Sequence, residues 1–265
     1  MTHAHHDGCC APALSPKQKL FCAFLTLGYP SLKATEELIK QFEKSGVDII
    51  ELGFPFSDPL ADGPTIQYSS EQAIKSGVKI HHAFEMVARL RKQGCQVPIL
   101  FFTYLNPIYH FGLKNFARKA AQSGFDGVIV PDLPPEEEPE FSKECSRLDI
   151  AQVFLVAPTT APDRALMIAR ASRGFIYYVS LRGVTGARKS VAVDLKKNLA
   201  QLKRFTNKPV LIGFGVSSPE QAKKLSGMSQ GVIVGSAIVD ILRKSGGKTG
   251  PAVKFVQSMV QAVKG

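Results

Sequence analysis

Little in these 265 residues points to a membrane, to secretion or to a disulfide scaffold. No apolar run approaches the roughly 18 residues that a membrane span requires. Residues 1–10 lack the apolar stretch of a secretory signal, so the expectation is a cytoplasmic protein with no membrane partner. The five cysteines (Cys9, Cys10, Cys22, Cys95 and Cys145) are odd in number and share no spacing, which argues against a disulfide framework and for a reducing compartment. A formal charge of +11 raises the question of nucleic acid. The 33 Lys and Arg, however, are scattered over amphipathic segments, without aromatic interleaving or a nucleic-acid motif. No nucleic-acid partner is expected; a basic surface that favours phosphorylated small molecules is the economical reading.

What is present is a repeated alternation. Apolar, β-branched runs at 21–27, 47–52, 98–104, 127–130, 152–156, 175–180, 209–214 and 231–234 read as strands. Segments of helical period separate them, at 32–45, 71–92, 113–123, 136–148, 161–172, 195–205 and 219–225, with two more at 238–243 and 253–263. Strands this apolar belong to a parallel sheet covered on both faces. Eight such units in about 250 residues predict an α/β fold closed as a single-domain (β/α)8 TIM barrel. The barrel is expected over 16–265, after a short, flexible N-terminal extension over 1–15. Its His3-Ala4-His5-His6 and Cys9-Cys10 have a metal-binding composition, but a flexible, idle terminus is the preferred reading.

Barrel chemistry sits where the strands end, so the residues there form a short list of candidates. No lysine stands at such an end to form a Schiff base. No histidine does either, since His81 and His82 open a helix and His110 falls in a loop; no metal and no cofactor are expected. Carboxylates, tyrosines and glycines remain. Glu51 closes the second strand, and Asp62 follows eleven residues later in a loop stiffened by Pro55, Pro59 and Pro64. Two carboxylates on rigid supports suit general acid/base work. The same residues also fit a salt-bridged strand end with turn aspartates at Asp58 and Asp62, and the spacing does not choose between these readings. Gly183, Gly186, Gly213, Gly215, Gly235 and Ser236 fall in the loops after strands 6, 7 and 8. Their backbone amides can approach a phosphate, and Ser236 is expected to cap the next helix.

The segment ELGFPFSDPLADGPTIQ (51–67) resembles the signature of the tryptophan synthase alpha subunit family. LTLGYP, the Tyr104-Leu105-Asn106-Pro107 run, VPDLP, GVTGAR, GFGVSSPEQ and VGSAIV are similar to segments of that family, in the same order. The resemblance implies a lyase that cleaves indole-3-glycerol phosphate into indole and glyceraldehyde 3-phosphate in tryptophan biosynthesis. It implies Glu51 as the acid/base residue, Asp62 as the partner of the indole nitrogen, and Tyr177 close to the glutamate. Phe24, Phe102, Tyr104, Ile129, Thr185 and Phe214 are implied around the substrate, and Gly186, Gly213, Gly215, Gly235 and Ser236 around the phosphate. Asp132 is a weaker site candidate, equally readable as the cap of the helix after its strand. A pyridoxal-phosphate-dependent beta subunit is implied as partner in an α2β2 heterotetramer, facing Pro55, Asp58 and Asn106. Phe54 and Phe56, in that loop, look exposed and are expected to pack inward or against another protein, one of the two inward. Two other readings stay open: another phosphate-binding barrel enzyme of an indole or histidine pathway, and a binding subunit that activates a partner without chemistry of its own.

Overall fold

The computed structural model describes residues 18–179, 188–213 and 215–265, with 188–194 seen through their helical backbone. Among these residues, nine parallel strand segments form one sheet. They are β1 (Leu20–Thr26), β2 (Ile49–Gly53), β3 (Ile99–Phe102), β4 (Gly127–Ile129), β5 (Ala151–Val153), β6 (Leu155–Val156), β7 (Ile176–Val179), β8 (Val210–Gly213) and β9 (Gly231–Val234). Their order is β5-β4-β3-β2-β1-β9-β8-β7-β6. β5 and β6 are the halves of the strand expected at 152–156, parted at Phe154 alone. The first half pairs with β4 and the second with β7. Phe154 turns its carbonyl to the Tyr177 N–H at 3.2 Å and its own N–H to Ser172 Oγ at 3.3 Å. The ring therefore closes through one residue, and the structure is the expected TIM barrel.

The strands alternate although their composition hides it. Leu20, Cys22 and Phe24 of β1 join Ile49, Leu100 and Phe175 inside the barrel, whereas Phe21, Ala23 and Leu25 pack outward with the helices. Both faces are apolar because both are buried.

The helical layer comprises α1 (Leu32–Lys44), α2 (Pro64–Lys75), α3 (Ile80–Lys92), α4 (Leu105–Phe111), α5 (Leu113–Ser123), α6 (Pro139–Arg147), α7 (Pro162–Ala171), α8 (Arg188–Phe205), α9 (Pro219–Ser226), α10 (Ser236–Lys244) and α11 (Thr249–Lys264). α1 shows how the sequence builds one: Ser31 Oγ accepts the Ala34 N–H at 3.1 Å to start it, and Leu38, Ile39 and Phe42 bury one face. Two helices depart from the sequence reading. The pattern at 71–92 is two helices, α2 and α3, parted by Gly77 at φ 78°. The 105–111 stretch, expected as loop and including His110, is helix α4. Pro107 sits in its first turn, where the missing N–H costs nothing, and the Leu105 N–H is accepted by Asp132 Oδ1 at 2.9 Å. Asp132 thus caps the helix after β3, not the one after its own strand. No described helix is long and apolar enough to cross a membrane.

Candidate active site

The C-terminal ends of the strands surround a cavity of about 360 Å³, the size of a small-molecule site. Phe24 and Phe102 wall one side, their rings edge to face at 5.5 Å. Glu51 at the end of β2, Asp62 in the following loop and Tyr177 on β7 enter it, and Gly215, Gly235 and Ser236 line it as well, Gly235 directly beside Phe24. An aromatic wall, two carboxyls and a glycine-rich edge thus meet in one space.

Glu51 is 1% exposed and is the one buried carboxylate among the described residues. Its side chain accepts a hydrogen bond from Cys22, whose Sγ lies 3.5 Å from Oε1. Burial in this apolar lumen pushes its pKa up to about 8; the thiol opposes this only weakly. Asp62 is raised to about 6, again by burial, with the Tyr104 hydroxyl pulling the other way. That hydroxyl also accepts the Ala61 N–H at 3.0 Å, and the Tyr104 ring lies 5.5 Å from that of Phe56. Tyr104 is 2% exposed and fastens the Asp62 loop from beneath, off the cavity wall. Burial and the nearby charges of Glu51, Cys22 and Asp62 hold the Tyr177 phenol well above its ordinary value, hence neutral.

The glycine edge divides in two. Gly213 ends β8 against the Tyr177 ring, where a Cβ would collide with it; its lack of a side chain makes room for the tyrosine. Gly215, at φ 78° with open space around it, and Gly235 line the cavity directly. Gly235 is the N-cap of α10 and Ser236 its first residue, so the expected serine cap is absent. The first α10 bond runs from the Val239 N–H to the Gly235 carbonyl at 3.1 Å. The amides of Ser236, Ala237 and Ile238 precede that bond at the positive end of the helix dipole.

Ile129 is fully buried in the barrel interior below the cavity. Thr185, Gly186 and Phe214 lie outside the described residues, as does 1–15. Of the expected partner-facing residues, Asp58 and Asn106 are exposed and Pro55 is buried. Phe54 and Phe56 are both half-buried, against Phe101 and Tyr104 respectively, where inward packing was expected of one of them. The exposed apolar groups nearby are Leu60, 83% accessible, and Tyr109 at 64%. Sequence reasoning missed the Pro64-Thr65-Ile66 turn of α2 on the cavity wall, although proline after Asp62-Gly63 is a helix-start signal. Cys22 carried no signal at all. Among the described residues, no group of His, Cys, Asp and Glu could hold a metal ion.

A sequence profile described as "Tryptophan synthase alpha chain" matches residues 11–264. The tryptophan synthase alpha chain of Geobacter sulfurreducens is 47% identical over 227 residues, 86% of each chain. That of Pelobacter propionicus is 43% identical over 249 residues, 93% of each chain. Among solved structures, the tryptophan synthase alpha subunit of Legionella pneumophila superposes with a TM-score of 0.84 at 34% identity, over 92% of each chain. A chain of M. tuberculosis tryptophan synthase in its aminoacrylate-bound form gives 0.86 at 30% identity, covering 97% of this chain and 100% of that one.

Proposed function

The chain belongs to the tryptophan synthase alpha chain family, and from that premise we propose how its cavity carries out the alpha reaction. The reaction is retro-aldol cleavage of indole-3-glycerol phosphate to indole and glyceraldehyde 3-phosphate, a carbon–carbon lyase step. The observation that carries the assignment of roles is that two carboxyls of raised pKa, an aromatic wall and a helix N-terminus line one cavity.

Protonated Glu51 gives its proton to C3 of the indole ring. The ring nitrogen gains positive charge, which the Asp62 carboxylate stabilises. Glu51, now a carboxylate, takes the proton of the adjacent glycerol hydroxyl while the carbon–carbon bond breaks to release the aldehyde. Glu51 ends protonated, so protons balance over the turnover. A pKa near neutrality suits a group that must serve as both acid and base. Tyr177 shares the lumen with Glu51, and its neutral phenol adds no competing charge. The edge-to-face pair Phe24 and Phe102 forms an apolar wall for the indole ring, and Ile129 supports that wall from below. Gly215, Gly235 and Ser236 receive the phosphate through the amides of α10, which fixes the substrate at its far end; Gly213 serves by seating Tyr177. Thr185, Phe214 and Gly186 complete the substrate and phosphate sides in this reading.

The family partners a beta subunit. For this chain, the proposed docking face is the exposed group Asp58, Leu60, Asn106 and Tyr109, assembling an α2β2 complex. Leu60 in water gains nothing from its side chain, and it sits two residues before Asp62. The deciding experiment is indole release from indole-3-glycerol phosphate by the chain, alone and with a tryptophan synthase beta subunit. The parent should turn over and gain rate with beta, and Asp58→Ala should keep the basal rate but lose the gain. A parent without turnover in either setting refutes the assignment; equal gain in the variant removes this face from the coupling.

A further inference from the structure

Among the described residues, the barrel interior below Glu51 is hydrocarbon with one exception. Leu20, Ile49, Leu100, Phe175, Leu211 and Ile233 fill it; the exception is Cys22, fully buried on β1. The register pairs Phe24 with Glu51 and Cys22 with Ile49, so Cys22 stands one inward step below the carboxyl on the neighbouring strand. Its Sγ lies 3.5 Å from Glu51 Oε1, the range of a sulfur hydrogen bond. The other ionisable groups that face Glu51 are Tyr177 from β7 and Asp62 from the loop, and Asp48 acts on Cys22 from below. On its other side, β3 offers Leu100, opposite Glu51, and Phe102.

We infer that Cys22 is a positioning residue for Glu51: its thiol holds Oε1 from the barrel floor, leaving the second carboxyl oxygen to meet the reacting atoms. The inference rests on the acid/base role given to Glu51 above. A carboxyl in a hydrocarbon well has a broad terminal torsion and two equivalent oxygens. A donor on one oxygen removes that equivalence and favours the ionised form. A thiol is a weak donor, so it offsets part of the burial effect and leaves Glu51 able to hold a proton at neutral pH. Valine would fill the same space and offer no donor; a serine hydroxyl would offer a stronger one.

The test uses the full chain as Cys22→Val, Cys22→Ala and Cys22→Ser, with two readouts. One is the pH dependence of indole release. The other is infrared titration of the protonated Glu51 carbonyl band, identified by its loss in Glu51→Gln. In Cys22→Val and Cys22→Ala, the alkaline limb and the infrared midpoint should rise together by about 0.5–1 pH unit. Turnover at neutral pH should fall about threefold to tenfold, with KM within about twofold of the parent. Cys22→Ser should restore the midpoint or carry it below that of the parent. An unchanged midpoint in Cys22→Val and Cys22→Ala, or a serine variant no nearer the parent than valine, overturns the inference. The infrared readout needs no turnover, so it separates this inference from the assigned reaction. A midpoint that moves in a chain inactive on the substrate overturns only the reaction; an unmoved midpoint in an active chain overturns only the role of Cys22.

Discussion

At the ends where the strands begin, half-buried carboxylates are saturated with partners. Asp126 accepts the Ile99 N–H at 2.7 Å and the Arg91 guanidinium at 2.6 Å, and Arg91 also reaches the carbonyls of Gly124, Cys95 and Val97. Asp48 accepts the Phe21 N–H at 2.8 Å and the Lys264 ammonium at 2.7 Å. At the opposite ends, Glu51 has a thiol and Asp62 a phenol. Burial raises Asp126 as well as Glu51, but at Asp126 an amide and a guanidinium push back. The contrast lies in the partners: one end of the barrel neutralises its carboxyls and gains rigidity, and the other leaves them underpaired and gains proton chemistry.

Exchanging acid for amide at each end tests this contrast most severely. Glu51→Gln should fold normally and lose about 10²–10⁴-fold in turnover. Asp126→Asn should keep its turnover and lose roughly 1–3 kcal/mol of stability in urea denaturation, since the Arg91 and Ile99 donors lose a charged acceptor. A folded Asp126→Asn protein without activity, or a Glu51→Gln protein that unfolds, would break the division.

The same contrast has a pH signature in stability. The folded chain keeps the Glu51 proton up to about pH 8, while the unfolded chain releases it near the ordinary value of 4.5. The folded state therefore binds more protons across that window, and stability falls as pH rises through it, levelling off above. Glu51→Gln has no proton to lose. Relative to the parent it should be more stable at about pH 9 than at pH 5 by on the order of 3–5 kcal/mol, measured by denaturant titration at both pH values. Equal differences at the two pH values would mean that Glu51 is not held protonated.

A smaller effect sharpens the division within the active end. Ser236→Asp sets a negative charge at the start of α10, where the phosphate is assigned. KM should rise about tenfold or more with kcat changed far less, because the lost binding is shared by ground and transition states. Gly213→Val is a poorer probe, since its side chain would strike Tyr177. An unchanged KM in Ser236→Asp would remove α10 from phosphate binding.

The strands and Glu51 were legible because burial on both faces writes continuous apolar runs, and a carboxylate at the end of one stands out. What stayed hidden depends on partners distant in sequence. α4 is started by Asp132, which lies 27 positions beyond Leu105, and nothing local announces it. Tyr104 reads as one more strand-end aromatic, although its hydroxyl fastens the Asp62 loop. The break between α2 and α3 was local, at Gly77, but the apolar spacing runs on across it and masks the stop. Cys22 was invisible because its importance lies in the register between β1 and β2, which no single-strand pattern carries.

The central claim is that two carboxyls of raised pKa divide the chemistry of one cavity, and the pH dependence of kcat/KM for indole release tests it most directly. Asp62 must be ionised to face the indole nitrogen, and Glu51 must begin protonated. The profile should be a bell with an acid limb near 6 and an alkaline limb near 8, and Asp62→Asn should abolish the acid limb in whatever activity remains. An acid limb near the ordinary carboxylate value of about 4, with no loss of rate up to about pH 9, contradicts the account.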